Sequence, residues 1–446
     1  MAIHPIEFRY GTPEMKAVWT EEHRFRRIID AEIALARAEA KEGMIPLGAA
    51  DAIAASAADA SLERAKEIED EIHHDMMAIV RAVSEVCGEP GRWVHYGATS
   101  NDILDTATGL QLKDATTILN IKLRHLLKAL LSRAEETKNL ICMGRTHGQH
   151  GVPTTYGLKF AIWASEIGRH IERLEQMIPR VCVGQMTGAV GTQAAMGDHG
   201  INVQTYMMEF LGIGSVDVSN QVIQRDRYAE YFCFLANVAT TLDKIGVEIR
   251  SMQRTEIGEV EEAFGAKQVG SSTMPHKRNP IRSEQVCGLA RIVRSSVEPA
   301  FQNNTLWDER DLTNSSPERI LFPEATILCD HIIKLMATVI EGLVLKPDRI
   351  HKNLMFLHGI NMAESVMIEL TKRGMARQEA HEIIRVKSME ALAAEKPLSS
   401  LLAQTPEVTR FIPTAEIESL LDPNNYMGTS IKQVDRVIEK LQPLCP

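Results

Sequence analysis

The stretch YFCFLANVATTLDKIGVEIRSM, residues 231–252, places apolar side chains at Tyr231, Leu235, Val238, Leu242, Ile245, Ile249 and Met252. Their spacing alternates between four and three residues, about 3.5 on average, so one seam can follow a neighbouring helix for about three heptads. Outward from it the same period returns at Phe160, Trp163, Ile167, Ile171, Leu174 and Ile178, at Leu119, Leu123, Leu126 and Leu130, and at Leu328, Ile332, Leu335 and Val339. A weaker stripe runs through Val286, Leu289, Val293 and Val297. Long seams with few internal glycines predict an all-α fold built on a bundle of long helices, with some seams buried between subunits. Strand signals are scarce: a piece such as Arg180–Val183 suits a short hairpin, and no alternating series builds a sheet.

Helix starts fit this picture. Thr12-Pro13-Glu14 and Ser316-Pro317-Glu318 each set a capping hydroxyl before a proline at the first helical position, and Thr20-Glu21-Glu22 is a similar start. Helices are predicted over Ile68–Val80, carrying His73-His74-Asp75, and around Ala376–Ala394. Between helices lie the polar stretches Trp93–Asp105, Gly144–Gly157 and Lys267–Pro280, and the charged stretch Trp307–Arg319. Polar loops on a rigid helical scaffold are where chemistry usually sits.

Composition narrows the function. The 446 residues are enough for two to four domains. Lys and Arg number 49 against 59 Asp and Glu, and the net charge of −10 speaks against a basic nucleic-acid-binding face. Aromatic residues make up only 5 %, with 20 Met, which suits closely packed helices better than sheets. The 7 cysteines lie far apart with no C-x-x-C pair, which excludes a zinc ribbon, a thioredoxin motif and a disulfide scaffold. No apolar run approaches the roughly 18 residues of a membrane span, and the start shows no secretory pattern. A soluble, cytoplasmic protein is expected.

Four segments carry candidate chemistry. Gly270–Pro280 combines a flexible Gly and hydroxyl start, two prolines and the cations Lys277 and Arg278, which suits a lid closing on an anion as well as a solvated linker. His147 and His150 stand among glycines after the apolar run Leu140–Met143, as acid/base groups or merely hydrogen-bonded loop histidines; a metal reading lacks a third ligand. Thr99-Ser100 caps a helix, and its free N–H groups could equally cradle a carboxylate or phosphate. Arg310, Ser315, Ser316 and Arg319 gather anion donors at another helix start.

These segments together resemble one family. GSSTMPHKRNP at 270–280 is similar to the loop motif GSSxMPxKxNP of the fumarase/aspartase superfamily. HYGATSNDILDTA at His95–Ala107 and GRTHGQHGVPTTYG at Gly144–Gly157 match further blocks in order. His276-Lys277-Arg278, Arg9-Tyr10, the HHD triplet, Gln221 with Gln224–Arg227, and ERDLTNSSPERI at Glu309–Ile320 resemble the adenylosuccinate-cleaving branch. Departures are modest: Gln149, Val152, Asp308 and Asn314 replace residues frequent in bacterial members.

The resemblance implies an all-α fold in three domains, 1–98, 99–350 with the catalytic loop, and 351–446. It also implies a homotetramer whose sites are shared between subunits around a helical core. The implied reaction is β-elimination of fumarate from adenylosuccinate and from the earlier succinyl-carboxamide ribotide. Neither metal nor organic cofactor is expected. Removing a proton beside a carboxylate creates a dianionic enediolate that needs cations, and the leaving nitrogen must be protonated.

Carried over, Ser271 would be the base and His147 the acid, with Glu284 supporting His147. Lys277, Asn279, Thr99, Ser100 and Ser272 would grip the succinyl carboxylates, with Gln221 nearby. His73, His74, Asp75 and His95 would lie near the substrate, and Arg9, Tyr10, Arg310, Ser315 and Arg319 would hold its phosphate and ribose. The alternatives are a sibling lyase acting on argininosuccinate, aspartate or malate, and a scaffold protein without catalysis. The His-Lys-Arg loop disfavours the sibling, and the retained His147, Ser271 and Lys277 disfavour the scaffold.

Overall fold

The seven seam residues from Tyr231 to Met252 lie on one helix, Asp226–Met252, and none is more than 4 % exposed. Burying each such side chain contributes about 1.5–3 kcal/mol, which is what selects this face. The computed structural model describes residues 3–265, 267 and 270–445, so Gln268 and Val269 of the Lys267–Pro280 stretch lie outside the described residues. The other stripes fall on the long helices Tyr156–Val181, Ser100–Thr137 and Ser315–Gly342. The weaker stripe is split between Ile281–Ser295 and Val297–Gln302. The chain is 68 % helical, and its fold is all-α with long helices, as the spacing predicts. The β-structure among the described residues is three two-stranded pairs.

The chain divides into two units. The first takes residues up to Leu123, Arg169–Leu242 and Gly288–Lys334; the second takes Arg124–Gly168, Asp243–Cys287 and the chain from Leu335 onward. All five changeovers fall inside helices. In the first unit Phe25, Ile28, Leu35, Met76, Val83 and Met207 belong to one buried cluster. The Tyr231 hydroxyl lies 2.9 Å from Thr326 Oγ1, tying Asp226–Met252 to Ser315–Gly342. In the second unit, a Cβ added at Gly246 would sit 2.8 Å from Cys287 Sγ, so glycine allows that close approach. Its C-terminal helices Ala363–Lys372 and Arg377–Ala394 bury Val366, Leu370, Ala380 and Ile384.

Several local expectations are corrected. Arg180 and Val181 end a helix, and Val183–Gly184 pairs in parallel with Gly214–Ser215 instead of forming a hairpin. Ile68–Val80 is not one helix. Leu62–Ile72 stops at His73, whose φ of 53° is left-handed, and Asp75–Cys87 begins after His74, whose Nδ1 accepts the Met77 N–H at 3.3 Å. The acidic run Glu69-Asp70-Glu71 stands at the negative end of the first helix, where the dipole disfavours it. Thr12 and Thr20 cap as expected. The helix expected to start after Ser316 starts at Ser315, so Ser316 lies inside it.

Buried charge holds the first unit together near the candidate site. Arg225 is 2 % exposed and donates to both Asp105 oxygens at 2.7 and 2.9 Å and to Glu318 at 3.0 Å. Removing one partner from such a cluster strands the others. Arg225→Met is expected to cost about 3–5 kcal/mol, read as a lowered thermal midpoint. An unchanged midpoint would mean that the two carboxylates find other partners.

Candidate functional site

In the first unit, a cavity of about 270 Å³ is lined by Thr20, Arg24, Arg310, Ser315 and Arg319, among others. Arg310 donates to Gln221 Oε1 at 3.0 Å, while Gln221 Nε2 donates to the Ala189 carbonyl. Arg319 donates to Asp75 Oδ2 at 2.7 Å, and Asp75 also accepts the Met76 N–H. Burial opposes the Asp75 charge, but these two donors hold its pKa below the usual carboxylate value. Ser315 opens the long helix Ser315–Gly342, its own N–H bonded to the Leu312 carbonyl and that of Glu318 to the Asn314 carbonyl. Thus Arg310, Ser315 and Arg319, read as one set from the sequence, line this cavity, and Gln221 and Asp75 are bonded to Arg310 and Arg319.

The other expected residues of this unit stand around that set. His73 and His74 punctuate the helix break and are exposed. Thr99 precedes Ser100, the first residue of a 38-residue helix, and its N–H donates to Asp102 Oδ2 at 2.9 Å. His95 lies 2.7 Å from buried Glu32. Arg9 and Tyr10 do not line the cavity; Arg9 sits 6.0 Å from the Tyr10 ring, which tilts against His331.

In the second unit, the Gly144–Gly157 stretch, read as a loop, folds into a hairpin. Ile141–Thr146 pairs antiparallel with Gln149–Thr155, with Thr146 opposite Gln149 and an irregularity at Gly144. His147 and Gly148 are therefore the two turn residues, with φ of 53° and 74°, the pattern of a type I′ turn. A non-glycine residue in that region is strained and recurs at functional sites. His147 is exposed at the tip, whereas His150 is half-buried against Phe356. Burial holds the His150 pKa below the ordinary histidine value. Behind the turn, buried Glu259 accepts from Arg145 at 2.6 Å, from the Tyr156 hydroxyl at 2.7 Å and from Asn353 at 2.8 Å.

The loop Gly270–Pro280 is also in this unit. Ser271 Oγ accepts the Met274 N–H at 3.0 Å and the Thr273 N–H at 3.3 Å. Asn279 donates to the Gly270 carbonyl at 3.0 Å, closing the neck of the loop. The Lys277 carbonyl passes so close to Gly270 that any Cβ there would overlap it. Arg278 is tied to Glu261 at 2.6 Å, while Lys277 has no ion-pair partner among the described residues. Lys277, Asn279 and Glu284 line an open basin with Arg250 and Arg254. Ser272 is exposed beside Thr273. No hydrogen bond joins Glu284 to His147, or His147 to Ser271, among the described residues.

Sequence reading missed three groups. Arg24 lines the first cavity, its guanidinium without a hydrogen-bond partner among the described residues, and burial together with Arg319 holds its pKa below the ordinary arginine value. Asp102, inside HYGATSNDILDTA, accepts N–H groups from Thr99, Thr187 and Gly188. Glu32 is hidden mid-helix, where nothing local sets it apart. The hairpin left little signal: its turn pair ends in Gly, but the flanking strands Ile141–Thr146 and Gln149–Thr155 do not alternate.

Comparison with known proteins adds the following. Residues 7–294 match the family described as Lyase, and residues 359–437 match that described as Adenylosuccinate lyase C-terminus. The chain is 51 % identical to an adenylosuccinate lyase of Pyrococcus horikoshii, covering 100 % of this chain and 99 % of that one. It is equally 51 % identical to one of Methanothermobacter thermautotrophicus, covering 99 % of each. Among solved structures, a fumarate lyase from Mesorhizobium sp. BNC1 superposes with a TM-score of 0.88 at 32 % identity, covering 96 % of this chain and 98 % of that one. A 3-carboxy-cis,cis-muconate lactonizing enzyme from Pseudomonas putida gives 0.88 at 31 % identity, covering 99 % of each. No helix among the described residues is long and apolar enough to cross a membrane.

Proposed function

The chain belongs to the adenylosuccinate lyase family of the fumarase/aspartase superfamily, and from that premise we propose how it cleaves a C–N bond. It releases fumarate from adenylosuccinate to leave AMP, and from the succinyl-carboxamide ribotide to leave the carboxamide ribotide. The observation that carries this reading is the 51 % identity along the whole chain with adenylosuccinate lyases. The match of residues 359–437 to the adenylosuccinate lyase C-terminus favours it over a sibling that acts on argininosuccinate.

In the elimination, Ser271 as alkoxide takes the proton beside the succinyl carboxylate. The C–H electrons form the double bond of fumarate, the C–N bond breaks, and the departing nitrogen takes a proton from His147. The two amides that donate to Ser271 Oγ support the base role, because N–H donors stabilise an alkoxide that water would quench. Lys277, Asn279, Thr99, Ser100 and Ser272 would hold the carboxylates as enediolate charge builds, with Gln221 nearby. Arg310, Ser315 and Arg319, helped by Arg9 and Tyr10, would hold the phosphate and ribose, and His73, His74, Asp75 and His95 would border the substrate. Glu284 would support His147.

The full assembly we propose is a homotetramer of cytoplasmic, three-domain subunits with borders near 98 and 350. Ile121, Ile162, Val247 and Ile292, each 44–63 % exposed on long helices, supply apolar surface for subunit contacts. The test is to incubate the purified protein with adenylosuccinate, the succinyl-carboxamide ribotide, argininosuccinate, malate and aspartate, and to assay fumarate. Release from the first two alone is expected; release from argininosuccinate alone would overturn the reading.

A further inference from the structure

His95 is held by more than its own chain segment. Its φ of 65° is left-handed, a conformation that a bulky side chain adopts only when its surroundings enforce it. Its backbone N–H donates to Glu32 Oε2 at 3.0 Å, and its ring Nδ1 lies 2.7 Å from Glu32 Oε1. One carboxylate thus grips both the main chain and the ring. Glu32 comes from the middle of the helix Glu21–Lys41 and is 1 % exposed, so the grip is dry and its geometry fixed. His95 Nε2 makes no hydrogen bond among the described residues and is the ring atom left for a ligand. Thr99 and Ser100, at the start of the following long helix, come four and five residues later.

We infer that Glu32 is a positioning residue for the elimination: it fixes His95 with Nδ1–H on the carboxylate and keeps a proton on Nε2 for an anionic group of the substrate. This rests on the reading of His95 as a substrate contact. The neighbouring charges agree with it. Burial opposes a charged imidazole, but Glu32, and after it Asp102, raise the His95 pKa. Asp102, on the Ser100–Thr137 helix, is buried and bonded by the N–H groups of Thr99, Thr187 and Gly188. Glu39, two turns beyond Glu32, is fully buried with neither oxygen bonded. Burial and the Glu32 charge push Glu39 up to about 9, so at neutral pH it is an uncharged neighbour that leaves His95 to Glu32.

The experiment compares wild type, His95→Gln, Glu32→Gln, Glu32→Asp and the Glu32→Gln/His95→Gln double variant by kcat and KM for adenylosuccinate across pH. His95→Gln is expected to lower kcat/KM about ten- to hundredfold, the loss of one charge-assisted contact. Glu32→Gln should reproduce most of that loss, and the double variant should be no worse than the poorer single one. The alkaline limb of kcat/KM should move to lower pH in Glu32→Gln and return partly in Glu32→Asp, which also carries the test if the Gln variant does not fold. Additive losses, or an unmoved limb in a folded Glu32 variant, would overturn the inference.

Failure of the functional reading looks different, because wild type then releases no fumarate from adenylosuccinate. The pair is still read by thermal unfolding against pH. Because the folded His95 pKa is raised, the stability it lends is full below the ordinary histidine value of about 6.5 and fades as pH rises through the folded value. The advantage of wild type over His95→Gln should follow that course and vanish in the Glu32→Gln background. The same pH dependence in both backgrounds would refute the pairing.

Discussion

Replacing His147 with Gln lowers turnover of adenylosuccinate by about 10²–10⁴-fold and leaves KM within a few-fold, the signature of a lost general acid. The hairpin makes this a clean test. His147 is exposed and sits at the first turn position with φ 53°, so its ring supports no core packing. Asn is the residue that type I′ turns prefer before Gly, so His147→Asn should keep or improve the hairpin while removing the acid. A variant that melts no earlier than wild type yet has lost turnover separates chemistry from folding. Full turnover in folded His147→Asn would give the acid role to another residue, with His150 next in line on the same hairpin.

Ser271→Ala should cost turnover on the same order, about 10²–10⁴-fold, with substrate binding nearly intact. Its Oγ accepts two backbone N–H groups and is bonded to no other side chain among the described residues, so its loss leaves those amides to water on an open loop. Stability should therefore barely change. The loop itself is held by Asn279 on the Gly270 carbonyl and by Arg278 on Glu261, neither of which needs the hydroxyl. Mixing Ser271→Ala with His147→Gln and allowing subunits to exchange should restore part of the activity, because shared sites would then include some with both groups. Parental turnover in Ser271→Ala would remove Ser271 from the base role, and no recovery after proven exchange would count against shared sites.

The long helices were legible because burial imposes a period: one face of Asp226–Met252 is dry along its whole length, and the residues on it are apolar. The capping threonines were legible because a helix start needs a side-chain acceptor. The hairpin around His147 was not, since its strands are short, polar and rich in glycine, and the bulge at Gly144 interrupts their alternation. The break at His73 was equally hidden, because a left-handed residue other than glycine leaves no mark in composition. Within the candidate site, Arg310, Ser315 and Arg319 could be read together because they share one helix start. Their links to Gln221 and Asp75 span 89 and 244 residues, distances over which a single sequence carries no pairing signal. Glu32 and Arg24 were missed for the same reason: a charged residue on a helix looks solvated until its burial is seen.

The division of the chain has a consequence for how the protein comes into being. Each unit is gathered from three separate stretches, and the first is complete only at Lys334, about three quarters of the way through 446 residues. Neither unit can finish folding early on the ribosome, and the nascent chain must hold helices with exposed seams until their distant partners emerge. Because every changeover lies within a helix, neither unit can be released by cutting an exposed linker. Folding of each unit therefore depends on stretches spread along the whole chain.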